Sequence, residues 1–349
     1  MRRLLHQDDI SLTLFLVALL TVWPPRALLA QAIPPAPTFR IDSSLTLIDV
    51  IAENQKTGLH GRALLTDLTR EDFRVFDNGS EMPIESFDIG AGHGTRPIAL
   101  WLIVECNQEE PPTHHSLFLR GKTQFLKPAL EHLGANDTVG VAHWCDNGDA
   151  QLDLLPGKDA DAAIGKVERI LAAKPSHGTN RSGELAMQSM VEKILKNANE
   201  TKPRPLPVFL FLYGDHCAAN VDEVNRLLTD LLETSGMVYG INDGAWPFDP
   251  HLMAPTRVAR GDMQIFYLVH YYSQETGGEV YSTADPKLFS SALDYILTQL
   301  HLCYTIGFRP LQGDGKKHRL RVELTAEARK QFPAAVLRSR PEYILRAQR

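Results

Sequence analysis

The chain has 349 residues, of which 44% are hydrophobic, so it is long and apolar enough to bury a sizeable core. Its length favours one large domain together with a smaller part over a single domain. The 36 Lys and Arg residues against 42 Asp and Glu residues give a net charge of −6 at pH 7. This mild acidity argues against nucleic acid as the partner.

The N-terminus has the pattern of a secretory signal peptide. Arg2 and Arg3 precede an apolar run over 10–23, and Ala30-Gln31-Ala32 provides a cleavage site of small residues. The run is shorter than the roughly 20 residues that span a bilayer, which argues against an uncleaved membrane anchor. We therefore predict a signal peptide over 1–32 and a secreted or periplasmic mature chain with no stable membrane span.

Residues 33–95 are predicted to form an N-terminal β segment. Apolar and polar residues alternate over 39–89, with turn signals at Gly58 and at Asp77-Asn78-Gly79. The glycine-rich stretch 90–94 precedes the next predicted strand, whereas a dinucleotide-binding loop follows a strand. We interpret this stretch as a linker.

Residues 96–301 alternate between strand and helix patterns, which predicts an α/β domain with a doubly wound, Rossmann-like sheet. The predicted strands are Ile98–Val104, Thr138–Trp144, Gln151–Leu155, Pro207–Leu212, Met237–Ile241 and Gly278–Tyr281. The predicted helices are Ser116–Leu133, Asp159–Ala173, Glu184–Asn197, Val221–Thr234, Gln264–Glu275 and Pro286–Leu300.

Residues 302–349 return to a β pattern. The predicted strands there are Cys303–Phe308, His318–Leu324 and Ala335–Arg338. We expect this C-terminal segment to pair with residues 33–95 in a small β sandwich. Two separate β appendages are the alternative.

Polar side chains gather where the predicted parallel strands end, because the carboxyl ends of such strands meet at one edge of the sheet. They are Glu105, Asn107, Glu109, Asp146, Asp215, His216, Asn242 and Asp243. The loop Gly178-Thr179-Asn180 is expected on the same side. So many oxygen ligands are typical of a hard-cation site, although a solvated polar rim has the same composition.

This layout resembles the von Willebrand factor type A domain. An apolar strand leads into an acidic loop, a Gly-Thr loop precedes a later helix, another apolar strand leads into a Gly-Asp turn, and Thr276-Gly277-Gly278 precedes the last strand. The segments Leu68–Gly79, Cys303–Pro310 and Arg338–Tyr343 resemble the flanks of the exported type A-related proteins common in acidobacteria. The resemblance covers 39–343 and implies a fold whose carboxyl-edge loops bind a protein partner.

The resemblance also implies a metal-ion-dependent adhesion site, and here that site is degenerate. Family members carry Asp-x-Ser-x-Ser after the first strand, a Thr in a later loop and an Asp after the fourth strand. In this chain, strict alignment places Gly214 at the position of that last Asp. The corresponding or nearest positions are Glu105, Asn107, Glu109, Thr179 and Asp215. Because Mg²⁺ tolerates little distortion of its octahedron, we expect no functional metal and no cofactor. A weakly bound divalent cation at these five residues, Ca²⁺ more readily than Mg²⁺, is the remaining option.

We therefore predict an exported, non-enzymatic binding module for adhesion or interaction, which uses those same five residues to contact a protein partner. An edge that presents carboxylates favours a basic or polar partner surface. One alternative is a structural scaffold of a cell-envelope assembly, in which the β sandwich makes the contact. Another is a metal-dependent hydrolase built from His143, His177 and His216 with Asp215. No HExxH, GxSxG or GxxxxGK[ST] motif supports an enzyme, and no catalytic residue is predicted.

The four cysteines are an even number in a chain predicted to be exported, which permits disulfides. Cys106, Cys145 and Cys217 each fall at or just past the end of a predicted strand, which could bring two of them together. Buried thiols are the alternative, and the absence of a CxxC pair argues against a zinc knuckle.

Overall fold

The structure, a computed structural model, describes most of the chain beyond its first 44 residues. The described ranges are 45–55, 62–89, 97–106, 123–145, 148–173, 180–200, 205–213, 217–242, 263–266, 268–283, 286–310 and 315–345. All of them belong to one compact unit, Ser44–Arg349.

Seventeen strands and seven α-helices occur within these ranges. The strands are β1 Thr46–Gln55, β2 Arg62–Leu64, β3 Phe73–Asp77, β4 Ser80–Met82, β5 Ile84–Ile89, β6 Ile98–Glu105, β7 Thr138–Trp144, β8 Ala150–Gly157, β9 Leu206–Tyr213, β10 Cys217–Asn220, β11 Met237–Asn242, β12 Met263–Phe266, β13 Val280–Ser282, β14 Tyr304–Phe308, β15 Lys317–Leu324, β16 Ala335–Arg338 and β17 Glu342–Ile344. The α-helices are α1 Lys127–Leu130, α2 Ala160–Ala172, α3 Asn180–Glu200, α4 Val221–Thr234, α5 Leu268–Thr276, α6 Pro286–Leu302 and α7 Ala326–Gln331.

The largest sheet has six strands in the order β13-β11-β9-β6-β7-β8. The strands from β13 to β7 run parallel, and β8 pairs antiparallel with β7. The central strand β6 is buried from Ile98 to Val104, as expected for a parallel strand covered on both faces. Because parallel strands end together, the carboxyl ends of β6, β7, β9, β11 and β13 form one edge, here called the carboxyl edge.

Successive residues of β6 enter two different hydrophobic clusters. Leu100 and Leu102 lie in a cluster with buried residues of α2 and α6. Trp101 and Ile103 lie in a second cluster with residues of α3, α4 and α5. Since side chains alternate across a strand with period two, helices cover both faces of the sheet. The chain is therefore a mixed α/β protein, as predicted.

Asp137 holds the opposite end of this sheet, where β6 and β7 begin. Its carboxylate accepts hydrogen bonds from the backbone N–H of Ile98 at 2.8 Å and of Gly134 at 2.7 Å, and Nε2 of His301 in α6 lies 2.6 Å away. Burial acts to raise the pKa of Asp137, but the interactions with His301 and the two backbone donors outweigh it, so the pKa is lowered. This side chain fixes the relative position of the two strands that lead to the carboxyl edge.

Strands from the two ends of the described chain pair with each other in two further sheets. One has the order β16-β1-β14-β5 with β2 paired to β1, and the other has the order β17-β15-β3-β4. All of these pairings are antiparallel. Both sheets contribute to one hydrophobic cluster, which includes Ile48, Val75, Tyr304, Leu320 and Tyr343.

The turn predicted at Asp77-Asn78-Gly79 is confirmed. Asp77 of β3 pairs with Ser80 of β4, which leaves Asn78 and Gly79 as a two-residue loop. Their φ angles are 48° and 87°, in the left-handed region where Asn and Gly are tolerated best.

One predicted helix of the α/β part is corrected in its first residues. The predicted helix Gln264–Glu275 is wrong in its first part, because Met263–Phe266 is strand β12, which pairs antiparallel with β10. The helix begins at Leu268. The predicted strand Gln151–Leu155 is confirmed as part of β8, which pairs antiparallel with β7.

The predicted signal peptide over 1–32 and the start of the predicted helix Ser116–Leu133 lie outside the described residues. None of the helices in the described part of the chain is long and apolar enough to cross a membrane.

Candidate functional site

Only one of the five residues predicted to bind the partner is described. Glu105 is the last residue of β6 and is half-buried at the carboxyl edge. The others lie outside the described residues: Asn107, Glu109, Thr179 and Asp215. Asp146, His177, His216 and Asp243 also lie outside them. Asn242 is described as the buried last residue of β11, and its carbonyl accepts a hydrogen bond from the N–H of Thr283 at 2.9 Å.

A disulfide between Cys106 and Cys145 links the ends of β6 and β7 at this edge. The parallel register places Glu105 opposite Trp144, so the next residue of each strand is a cysteine and the two Cα atoms lie 5.0 Å apart. The N–H of Cys106 also donates to the carbonyl of Trp144 at 3.0 Å. Of the pairings that the sequence left open, the structure therefore has Cys106 with Cys145. Cys303 is buried, and its thiol donates to the carbonyl of Leu300.

His143 lies on β7 two residues before Cys145. Its Nδ1 is 2.6 Å from a carboxylate oxygen of Asp153, and its Nε2 is 3.5 Å from a carboxylate oxygen of Asp149. The interaction with Asp153 raises the pKa of His143 against the opposing effect of burial, and Asp149 raises it further. Sequence reasoning singled out His143 but missed both aspartates. The antiparallel pairing of β7 with β8, in which Gln151 lies opposite His143, brings the two aspartates to the histidine. Recognition of a β hairpin in this part of the sequence would have found them.

Three side chains at this edge carry sulfur or imidazole donor atoms. One atom each from Cys106, His143 and Cys145 lies within 4.8 Å of the other two. Thiolate and imidazole suit Zn²⁺ or Cu⁺, whereas Mg²⁺ and Ca²⁺ need oxygen ligands. These three donors therefore do not suit a hard cation, and of the five residues that the resemblance implies for such an ion only Glu105 is described.

A second polar cluster lies beside β13 and lines a cavity of about 500 Å³. It consists of Glu53 in β1, Arg62 in β2, Glu279 just before β13 and Arg338 in β16, here called the ionic cluster. Nη1 of Arg62 is 2.5 Å from Glu279 and 3.7 Å from Glu53. Arg338 forms an ion pair with Glu279 and lies 3.5 Å from Glu53.

Each member of the ionic cluster has an opposite charge beside it. Glu53 is buried, and its carboxylate also accepts a hydrogen bond from the side-chain amide of Gln299 in α6 at 2.7 Å. Burial acts to raise the pKa of Glu279, but Arg338 and Arg62 overcome it and lower the pKa. Two carboxylates and two guanidinium groups cancel in charge. The ionic cluster therefore connects β1, β2 and β16 to the edge strand β13, and its charges already have their partners.

Comparison with known proteins gives similarity to solved structures only. No protein-family model matches the chain, and no curated protein matches its sequence. The structure is similar to a von Willebrand factor type A protein from Catenulispora acidiphila, with 10% identity, coverage of 77% of this chain and 75% of that one, and a TM-score of 0.39.

Two other solved structures show a comparable degree of similarity. An aerotolerance-related membrane protein from Bacteroides fragilis has 11% identity, with coverage of 58% of this chain and 99% of that one and a TM-score of 0.34. The PilB minor pilin from Streptococcus sanguinis has 11% identity, with coverage of 60% and 62% and a TM-score of 0.35. Similarity at this level says nothing about the function of this chain.

Proposed function

We propose that this chain is an exported, non-enzymatic protein-binding module that recognises its partner with the carboxyl edge. We infer a doubly wound, type A-like domain over 96–301, carried on a β sandwich built from 33–95 and 302–349. The observation that carries the proposal is the position of Glu105 directly beside a disulfide that links two strand ends at this edge.

The disulfide holds the ends of β6 and β7 together at this edge. The loop after β6 starts at Cys106 and the β7–β8 connection starts at Cys145, so both leave from points that are held 5.0 Å apart between Cα atoms. A loop with a fixed origin loses less conformational freedom on binding, which favours affinity. Binding residues commonly lie on loops that a rigid scaffold positions.

The charge of the edge defines the chemistry of the partner. Among the described residues at this edge, Asp149 and Asp153 both face His143, and the Asp149 side chain is 44% exposed. Glu105 adds a further carboxylate, and Asn107, Glu109, Thr179 and Asp215 are proposed to extend this surface. We expect a basic or polar protein surface as the partner, with an affinity that falls as ionic strength rises.

Partner capture tests the proposal. The purified protein is immobilised and exposed to a cell-envelope extract of its host, and the captured protein is identified and its affinity measured. Glu105→Gln with Glu109→Gln is expected to abolish capture, while Glu327→Gln, at an exposed position on α7, leaves it unchanged. Equal capture by all three proteins contradicts recognition by the carboxyl edge. Loss of capture in Val336→Ser alone, at an exposed position on β16, would instead support the scaffold alternative.

A cation titration tests whether the edge works without a hard cation. After chelator treatment, Ca²⁺ or Mg²⁺ at 100 times a dissociation constant would stabilise the fold by about 2.7 kcal/mol. We expect no change in melting temperature with either ion. A rise of several degrees that Glu105→Gln abolishes would contradict the proposal, and chelator-sensitive hydrolysis by the protein would contradict its non-enzymatic character.

A further inference from the structure

The two cysteines and the histidine at the carboxyl edge form a preassembled set of ligands. Cys106 and Cys145 directly follow the parallel strands β6 and β7, whose last residues are paired, and His143 lies in β7 two residues before Cys145. Residues two apart on a strand point to the same side of a sheet, which explains why the three donor atoms lie within 4.8 Å of each other. The ends of two neighbouring strands therefore hold all three donor atoms close together.

The separations suit a tetrahedral metal once the sulfur atoms are no longer bonded to each other. Zinc bonds of about 2.3 Å to sulfur and about 2.1 Å to nitrogen place neighbouring ligand atoms about 3.6–3.8 Å apart. The 4.8 Å within which the three donor atoms lie in the structure exceeds that spacing by about one ångström. In the dithiol form the two sulfur atoms move apart to about 3.8 Å, which side-chain rotation allows because the Cα atoms of the two cysteines are 5.0 Å apart. A similar rotation brings the imidazole nitrogen closer to them.

A carboxylate already contacts the ring of His143. Asp153 is 2.6 Å from Nδ1, which leaves Nε2 as the ligand atom and fixes the orientation of the ring. Histidines that bind metals almost always donate their other ring N–H to a carboxylate, a backbone carbonyl or a water. Asp149 lies 3.5 Å from Nε2, close to where a fourth ligand would stand.

We propose that Cys106, Cys145 and His143 form a redox-controlled site for a thiophilic d¹⁰ cation such as Zn²⁺, which is closed in the disulfide form and available in the dithiol form. Water or Asp149 completes the coordination. This site differs from the oxygen-ligand site that the family resemblance implies, and it does not depend on the proposed partner.

The switch requires a dithiol reductant. One thiolate of the reductant attacks Sγ of Cys106, which is half-buried, while Cys145 is only 4% exposed. The bond between the two protein sulfurs breaks, Cys145 leaves as the thiol, and the second thiol of the reductant displaces Cys106 and forms the disulfide of the reductant. Two electrons and two protons pass to the protein. Binding of Zn²⁺ then releases those two protons and forms two zinc–thiolate bonds.

Zinc binding by the two redox forms tests the proposal. In a background of Cys217→Ala and Cys303→Ala, the protein is either kept oxidised or reduced with a dithiol that is then removed under inert gas. Zn²⁺ is added, and native mass spectrometry and competition with a chromophoric chelator measure its stoichiometry and affinity. We expect one zinc ion per reduced chain and none per oxidised chain. Equal binding by both forms, or no zinc in a reduced chain that is folded by circular dichroism, overturns the proposal.

Single substitutions test the individual ligands. Cys106→Ser should remove binding, and Asp153→Asn should weaken it about 10- to 100-fold. His143→Gln should weaken it at least as much, whereas His132→Gln removes another histidine that contacts a carboxylate, Asp294, and should have no effect. Unchanged affinity in His143→Gln overturns the assignment of the histidine. Replacement of Zn²⁺ by Co²⁺ should give a thiolate-to-metal charge-transfer band only in chains that keep both cysteines.

Discussion

In the ionic cluster, each of the carboxylates of Glu53 and Glu279 contacts both Arg62 and Arg338, whereas at the carboxyl edge two aspartates face the single imidazole of His143. The first region is neutral and contains its own counter-charges. The second contains a disulfide, which links the ends of β6 and β7. The ion pairs of the cluster connect strands of two different sheets, whereas the acidic groups at the edge belong to the surface that we propose for the partner. Four variants test this contrast between the two regions.

The largest expected effect is at the carboxyl edge. Cys106→Ser with Cys145→Ser removes a cross-link over a sequence separation of 39 residues and should lower the free energy of unfolding by about 4 kcal/mol. Urea unfolding at pH 7 measures it. The reduced wild-type protein is the control and should lose the same amount. A variant as stable as the oxidised wild type would mean that the disulfide does not hold this edge.

Removal of one cation from the ionic cluster should cost somewhat less. Arg338→Met leaves Glu53 and Glu279 with Arg62 alone, and breaking a buried ion pair typically costs 3–5 kcal/mol. Because 21% of the Arg338 side chain is exposed, we expect about 3 kcal/mol, again from urea unfolding. The matched control is Arg74→Ala, which breaks an exposed pair with Glu81 and should cost less than about 1 kcal/mol. Equal losses in the two variants would refute the structural role of the cluster.

A pH-dependent effect is expected beside the ionic cluster. Burial lowers the pKa of His270, which lines the same cavity, from 6.5 to about 4. His270 therefore binds a proton at a higher pH in the unfolded chain than in the folded chain. The contribution of neutral His270 to the free energy of unfolding is complete above pH 6.5 and falls as the pH approaches 4. Between pH 7 and 5 the loss is about 2 kcal/mol.

Unfolding free energies measured at pH 7, 6 and 5 check this effect. His270→Gln should flatten the pH dependence over that window, and the exposed His132→Gln should not. The pKa of Glu279 is lowered, so its contribution is lost only below about pH 4.5 and does not obscure the result. An unchanged slope in His270→Gln would show that another group carries the acid sensitivity.

The smallest expected effect on stability is at Glu105. Glu105→Gln keeps the size of a half-buried side chain at the end of β6, so the free energy of unfolding should change by less than about 0.5 kcal/mol. Thermal and urea unfolding measure it alongside partner capture. A large loss of stability would place Glu105 with the structural charges of the ionic cluster and not with the recognition surface.

Local patterns in the sequence were sufficient for most regular elements of the α/β part. The predicted strand Thr138–Trp144 and helix Val221–Thr234 have the observed bounds, because apolar runs and amphipathic spacing record burial directly. The strand β12 within the predicted helix Gln264–Glu275 was missed, since its only described strand partner is β10, about 45 residues earlier in the sequence.

The candidate site divides in the same way. Sequence alone identified the strand end at Glu105, the three cysteines near strand ends and His143, because residue type and position along a strand are local properties. The choice of Cys145 as the partner of Cys106 depended on the register between β6 and β7, and the contact of His143 with Asp153 depended on β8 running antiparallel. Likewise, no local pattern relates Arg338 to Glu53, which are almost the full length of the described chain apart. Register and long-range pairing depend on the packing of the whole domain, so the contacts between these side chains could not be predicted from local sequence.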